Sequence, residues 1–155
     1  MFKIRKARED ELLKVAVLWK EFMKYNGEFN ASFAINKKAQ EIFSREMLEK
    51  LKEYDSRLTV AESEGELIGF CYSYISQKPK YFKLAKFGFI GDLYVLPEYR
   101  RSGIGKALVK DAIDFFTKRK IKQIELLVAV KNENTIKFWE SLGFNHLLTW
   151  MYKRN

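Results

Sequence analysis

Apolar and polar positions follow two different periods along this chain, and the changes of period mark its elements. Residues 2–6 read as a short strand. Over residues 8–25 apolar side chains recur at helical spacing, with Leu12, Val15, Ala16, Trp19 and Met23 on one stripe. Asn26-Gly27 closes that helix. Residues 28–35 carry no period, and a second helix is predicted over 37–54. Two extended runs, 58–63 and 67–77, flank Glu64-Gly65-Glu66, a hairpin signal. Gln77 to Lys86 is a basic, aromatic loop containing Pro79. A strand over 87–96 leads into a helix over 103–119, which carries Ile104, Leu108, Ala112 and Phe115 on one face. Residues 122–130 read as a strand, 133–142 as a helix and 145–153 as a last strand.

This order predicts an α/β (α+β) fold, a mixed central sheet flanked by helices. One domain spans 1–155, with no linker, repeat or low-complexity segment. The strand-helix-strand from 87 to 130 has the form of a right-handed parallel crossover.

Composition narrows the class. An apolar fraction of 47% and an aromatic fraction of 15% in 155 residues are enough for a core. No apolar run reaches membrane-spanning length, and the N-terminus is a poor signal peptide. A single cysteine, Cys71, excludes an internal disulfide and suits the cytoplasm, where it reads as a buried strand residue. The net charge of +9 raises the question of a nucleic-acid partner. The basic residues are spread over all elements, however, and no nucleic-acid module or zinc-ligand cluster is present, so a nucleic-acid partner is disfavoured against an anionic cofactor plus ordinary solvated lysines.

The candidate chemistry lies at Asp92 to Val109. Leu93, Tyr94 and Val95 favour an extended backbone, and Pro97 stops it. Arg100, Arg101, Ser102, Gly103, Ile104 and Gly105 form a turn, and Lys106 begins a run of good helix formers. Glycines at a helix mouth let a ligand approach the main chain, and the free N–H groups of a first helical turn favour an anion. The Walker A spacing is absent, since Arg100 stands where its first glycine belongs and Ala107 follows Lys106. The dinucleotide fingerprint lacks its third glycine, because position 108 is Leu. A plain helix-entry turn is the structural alternative.

Arg-x-x-Gly-x-Gly after a strand ending Leu-x-Val-x-Pro resembles the acetyl-CoA-binding motif of the GNAT superfamily of N-acetyltransferases. NENTIKFWESLGF resembles that family's second signature. There Asn132, Phe138, Gly143 and Phe144 match, Thr135 replaces the usual Ala, and Trp139 replaces the usual Tyr. The resemblance implies a V-shaped splay between two central parallel strands. It implies that Leu93, Tyr94 and Val95 pair with the pantetheine arm. Arg100, Arg101, Ser102, Gly103, Ile104, Gly105 and Lys106 would surround the pyrophosphate. Asn132, Thr135, Phe138 and Trp139 would complete the coenzyme A site.

The activity so implied is acetyl transfer from acetyl-CoA to a primary amine by direct attack in a ternary complex. The acceptor would be a small-molecule amine or, alternatively, a protein N-terminus or lysine; a coenzyme-A-binding sensor without chemistry is the rival. An alkyl ammonium is neutral to only on the order of one part in a thousand at pH 7, so a base is useful. Asp92 is the candidate catalytic base. Polyamine acetyltransferases, which this region also resembles, place a Glu before that Asp, whereas here the residue is Gly91. An indole at Trp139 donates a hydrogen bond but is no acid in water. Tyr72, Tyr74, Tyr81 and Phe82 are candidates for an acceptor wall, and His146 reads as structural or exposed. Homodimers are common in the family, which leaves a homodimer open here.

Overall fold

The computed structural model describes residues 1–155. Alternating side chains build a sheet of five strands in the order β1 (Lys3–Lys6), β2 (Ser56–Ser63), β3 (Glu66–Gln77), β4 (Lys86–Val95) and β5 (Ile124–Leu126). Each neighbouring pair is antiparallel except β4 and β5, which run parallel. The hairpin between β2 and β3 turns at Glu64 and Gly65, both with positive φ.

Four helices cover the sheet: α1 (Leu12–Gly27), α2 (Ala39–Lys50), α3 (Ile104–Lys118) and α4 (Glu133–Ser141). The two faces carry separate cores because strand side chains alternate. Phe70, Tyr72 and Tyr94 pack with Leu12, Val15 and Phe43 beneath α1 and α2. On the opposite face Ile68, Cys71 and Ile90 pack with Leu108, Phe116 and Trp139 of α3 and α4. Cys71 is free and buried.

Three expectations need correction. The strand predicted over 122–130 is only three residues long, Ile124–Leu126. The strand predicted over 145–153 does not form: those residues are exposed and lie outside every element. Their alternation is strand-like, but a strand exists only with a partner for its backbone, and the tail has none. In consequence the parallel pair is not central, because β5 is the sheet's edge.

Candidate active site

Two irregularities in β4 shape the site. Tyr72 pairs with Asp92 and Ser73 with Ile90, so Gly91 is an extra residue, a β-bulge. A Cβ at Gly91 would come within 3.3 Å of the Tyr74 ring and 3.4 Å of the Tyr72 ring. The bare backbone therefore lets these aromatics lie against the bulge. The Tyr72 and Tyr74 rings lie tilted against each other with centroids 5.4 Å apart, as do those of Tyr74 and Phe89, giving an aromatic row beside it.

The second irregularity is that pairing with β5 stops at Ile90–Leu126. Beyond it one edge of β4 is open. Leu96 donates its N–H to Ile68 of β3 at 3.0 Å. Because successive N–H groups along a strand point to opposite edges, those of Val95 and Leu93 face the open edge, and that of Tyr94 faces β3. The Val95 carbonyl accepts from Arg100 Nε at 2.9 Å, which fits the same alternation.

Asp92 follows the bulge and shares the face of its cross-strand partner Tyr72. Burial pushes its carboxyl from 3.8 up to about 7, and no cation offsets it. Burial likewise raises the Tyr74 phenol, the charge of Asp92 adding to the effect.

At the end of β4 the chain turns into α3. Gly103 sits at the helix start with φ 85, and Arg101 also takes positive φ, 60. The glycine suits this conformation, which strains a residue with a Cβ. The first backbone bond of the helix is from Ala107 N–H to the Gly103 carbonyl, and the N–H groups of Arg101 through Lys106 have no backbone acceptor. Six successive free N–H groups at a helix N-terminus, with Arg100, Arg101 and Lys106 exposed beside them, form a polar, electropositive cradle. Ser102 does not contribute its hydroxyl, which donates to the Tyr99 carbonyl.

The second motif meets the first through packing. Gly105 lies against the Phe138 ring, which a Cβ there would meet at 3.4 Å, so the start of α3 and the middle of α4 touch at this point. Trp139 is buried on the α3 face, edge-on to Phe138 and Phe144 at 5.1 Å each. Asn132 is buried and caps α4, its Oδ1 accepting from Thr135 N–H at 3.3 Å and from the Tyr25 hydroxyl at 3.2 Å. A shallow groove of about 390 Å³ runs from Gly103 along α3, with Lys106 and Lys110 at its side and Leu142 opposite.

Tyr25 is the residue that sequence reasoning missed. From the end of α1 it reaches Asn132, and the Arg100 guanidinium lies 5.5 Å from the Tyr25 and Tyr94 ring centroids. Nothing in the local sequence marks it, since the contact spans 107 positions. Tyr81 and Phe82 lie tilted against each other in the exposed loop after β3, and His146 is exposed beside Glu140. No helix is long and apolar enough to cross a membrane.

The family model described as Acetyltransferase (GNAT) family matches residues 19–144. An N-alpha-acetyltransferase of Sulfurisphaera tokodaii is 32% identical over 108 residues, 64% of this chain and 63% of that protein. A [ribosomal protein bS18]-alanine N-acetyltransferase of Escherichia coli is 41% identical over 54 residues, 35% of this chain and 36% of its own length. The chain thus spans less than two thirds of these curated relatives. The crystal structure of a predicted acetyltransferase with acetyl-CoA from Clostridium acetobutylicum superposes with a TM-score of 0.82 at 18% identity, over 99% of this chain and 96% of that one.

Proposed function

The chain belongs to the GNAT acetyltransferase family, and from that premise we propose that it transfers an acetyl group from acetyl-CoA to a primary amine. The observation that carries the proposal is the placement of two features at β4: a desolvated carboxyl at Asp92 and, where the strand ends, six free N–H groups at Arg101 to Lys106.

The residues present fit the cofactor. The free N–H groups and the cations around them suit a pyrophosphate. The open edge of β4 at Leu93 and Val95 suits the amides of a pantetheine arm, which would add to the sheet as a strand does. The groove along α3, with Lys106 and Lys110, suits the nucleotide end. Arg100 and Asn132, now held by Val95 and Tyr25, would exchange those contacts for cofactor atoms. Thr135 and Phe138 act by shaping α4 against this region, and Trp139 supports it from the core. Acetyl-CoA, when bound, supplies an activated acyl thioester.

The remaining chemistry is the protein's. Asp92 accepts a proton from the incoming ammonium at its carboxylate. A carboxyl near 7 is a far better acceptor than an ordinary one near 4, yet it is still ionised in half or more of the molecules above pH 7. The N–H of Leu93 or Val95 stands ready for developing negative charge, an interaction worth roughly 3 kcal/mol per donor in other enzymes. Trp139 is buried among carbons and offers the leaving sulfur no proton, so solvent supplies it.

A small-molecule amine is the first acceptor class. Few carboxylates besides Asp92 flank the site, which speaks against polycations. A protein or peptide α-amine is the second, favoured by the names of the two curated relatives. Its ammonium, near 7.7–8.0, also matches Asp92 more closely than a lysine near 10.4. The test is release of free thiol from acetyl-CoA with a panel of small amines and N-terminal peptides. Turnover with one class names the acceptor. Tight acetyl-CoA binding with no turnover on any amine would favour a coenzyme A sensor instead.

A further inference from the structure

Away from β4, a polar cavity of about 290 Å³ opens between the far end of α3, the start of β2 and the α2–β2 connection. Its walls follow from strand register. Lys6 pairs with Thr59, and Arg57 lies two residues before Thr59, so all three share one face of the sheet. Asp111 identifies it as the α3 face, accepting from Arg57 Nε at 2.7 Å and from the Thr59 hydroxyl at 2.6 Å. One turn further along α3, Phe115 lines the cavity, and just past the helix Arg119 closes it.

The charges around this cavity do not balance. Lys52 pairs with Glu49, Glu53 with Lys50, and Arg57 with Asp111. Lys6 and Arg119 enter no salt bridge. Arg119 is nonetheless held in place. Its guanidinium lies between the Tyr54 and Phe115 rings, 4.2 and 4.0 Å from their centroids, and donates to the Tyr54 and Phe115 carbonyls at 3.0 and 3.4 Å. These contacts shield it from water without giving it a counter-charge. Its Nε is the one buried side-chain nitrogen or oxygen without a hydrogen-bond partner, and native proteins rarely leave such a group unmatched. The C-terminus of α3 offers roughly half a negative charge, which leaves most of the positive charge of Lys6 and Arg119 uncompensated.

We propose that this cavity binds a phosphate group, either the free ion or a small phosphomonoester. A dianion matches the two unpaired cations, whereas a single carboxylate would leave one of them unmatched. A fixed guanidinium and a mobile ammonium are both suited to phosphate oxygens. The volume is at the small end for ligand pockets, which limits any organic part. The length of α3, about 22 Å, separates this cavity from the N–H groups at Arg101 to Lys106. The two sites share no residue, so the proposal is independent of the catalytic reading.

The test is amide NMR of the whole isotope-labelled chain, titrated with inorganic phosphate at pH 8 and constant ionic strength, with coenzyme A present to fill the cradle. Amides of 52–57 and 119–120 should shift and saturate with a Kd of about 1 mM or below. Lys6→Glu, at an exposed position, should weaken this binding by about tenfold or more; Lys6→Gln takes its place if the charge reversal fails to fold. Glycerol 3-phosphate, titrated in parallel, separates the sources: tighter binding than the free ion assigns the site to a phosphomonoester, and equal or weaker binding assigns it to phosphate itself. Saturating shifts at 52–57 accompanied by shifts at 101–106 support the phosphate site while counting against coenzyme A in the cradle. Shifts confined to 101–106, shifts that never saturate, or a Lys6 variant that binds like wild type overturn the proposal.

Discussion

Replacing Asp92 by Asn should stabilise the protein in mildly alkaline solution while removing its activity. Burial raises this carboxyl from 3.8 to about 7, so the folded chain keeps a proton that the unfolded chain releases near 3.9. Between these values the folded state binds more protons than the unfolded one, and stability falls as pH rises. The contribution is whole below about pH 4 and gone above about pH 7. The full separation is worth at most about 4 kcal/mol. Because the side chain is half-buried and in partial contact with water, about half of that is a fair expectation.

An amide at position 92 never ionises and escapes this cost. In a chain of 155 residues, a gain of about 2 kcal/mol raises Tm by roughly 4–8 °C. Thermal melts of wild type and Asp92→Asn, followed by circular dichroism from pH 4 to pH 8, give the comparison. The two melting temperatures should nearly coincide at the acid end and separate by pH 8, with the variant higher. A gap that does not change with pH would refute the reasoning, because it would mean that Asp92 is solvated like an ordinary carboxylate.

Two further outcomes follow from other parts of the fold. The Arg5 hydrogen bond, foremost among several causes, holds the Glu11 carboxyl down to about 2, so this pair stabilises the chain above about pH 4.5 and its contribution is lost as pH falls toward 2. Glu11→Gln should cost about 1.5–3 kcal/mol at pH 7 and flatten the acid side of a plot of Tm against pH. Gly103 holds φ 85, and Gly103→Val should cost at least about 1–2 kcal/mol of backbone strain. The same change crowds the free N–H groups, and titration calorimetry should show acetyl-CoA binding weakened by about tenfold or more.

Local chemistry is what made much of the site legible from sequence. The turn at Arg100 to Lys106 is set by Gly103 at a helix start, and the beginning of α4 is set by Asn132 as its cap; both are decided within a few residues. The bulge at Gly91 is different. It exists only as a register slip between Tyr72–Asp92 and Ser73–Ile90, and register belongs to two strands. The approach of Tyr25 to Asn132 and Arg100 is likewise a product of how α1 lies on the sheet. Phe138 of one motif lies against Gly105 of the other, a contact set by how α4 packs on α3. The tail at 145–153 has the alternation of a strand, but alternation reports only which faces are to be covered.

In the proposed reaction Asp92 is the base beside the open edge of β4. The direct test is kcat/KM for acetyl transfer to an accepted amine, measured against pH for wild type and for Asp92→Asn. The wild type should show an inflection near pH 7, separate from the titration of the amine itself. The variant should lose that inflection and fall by about 10²–10⁴-fold. A variant with wild-type rates and the same profile would contradict the account and place the base elsewhere.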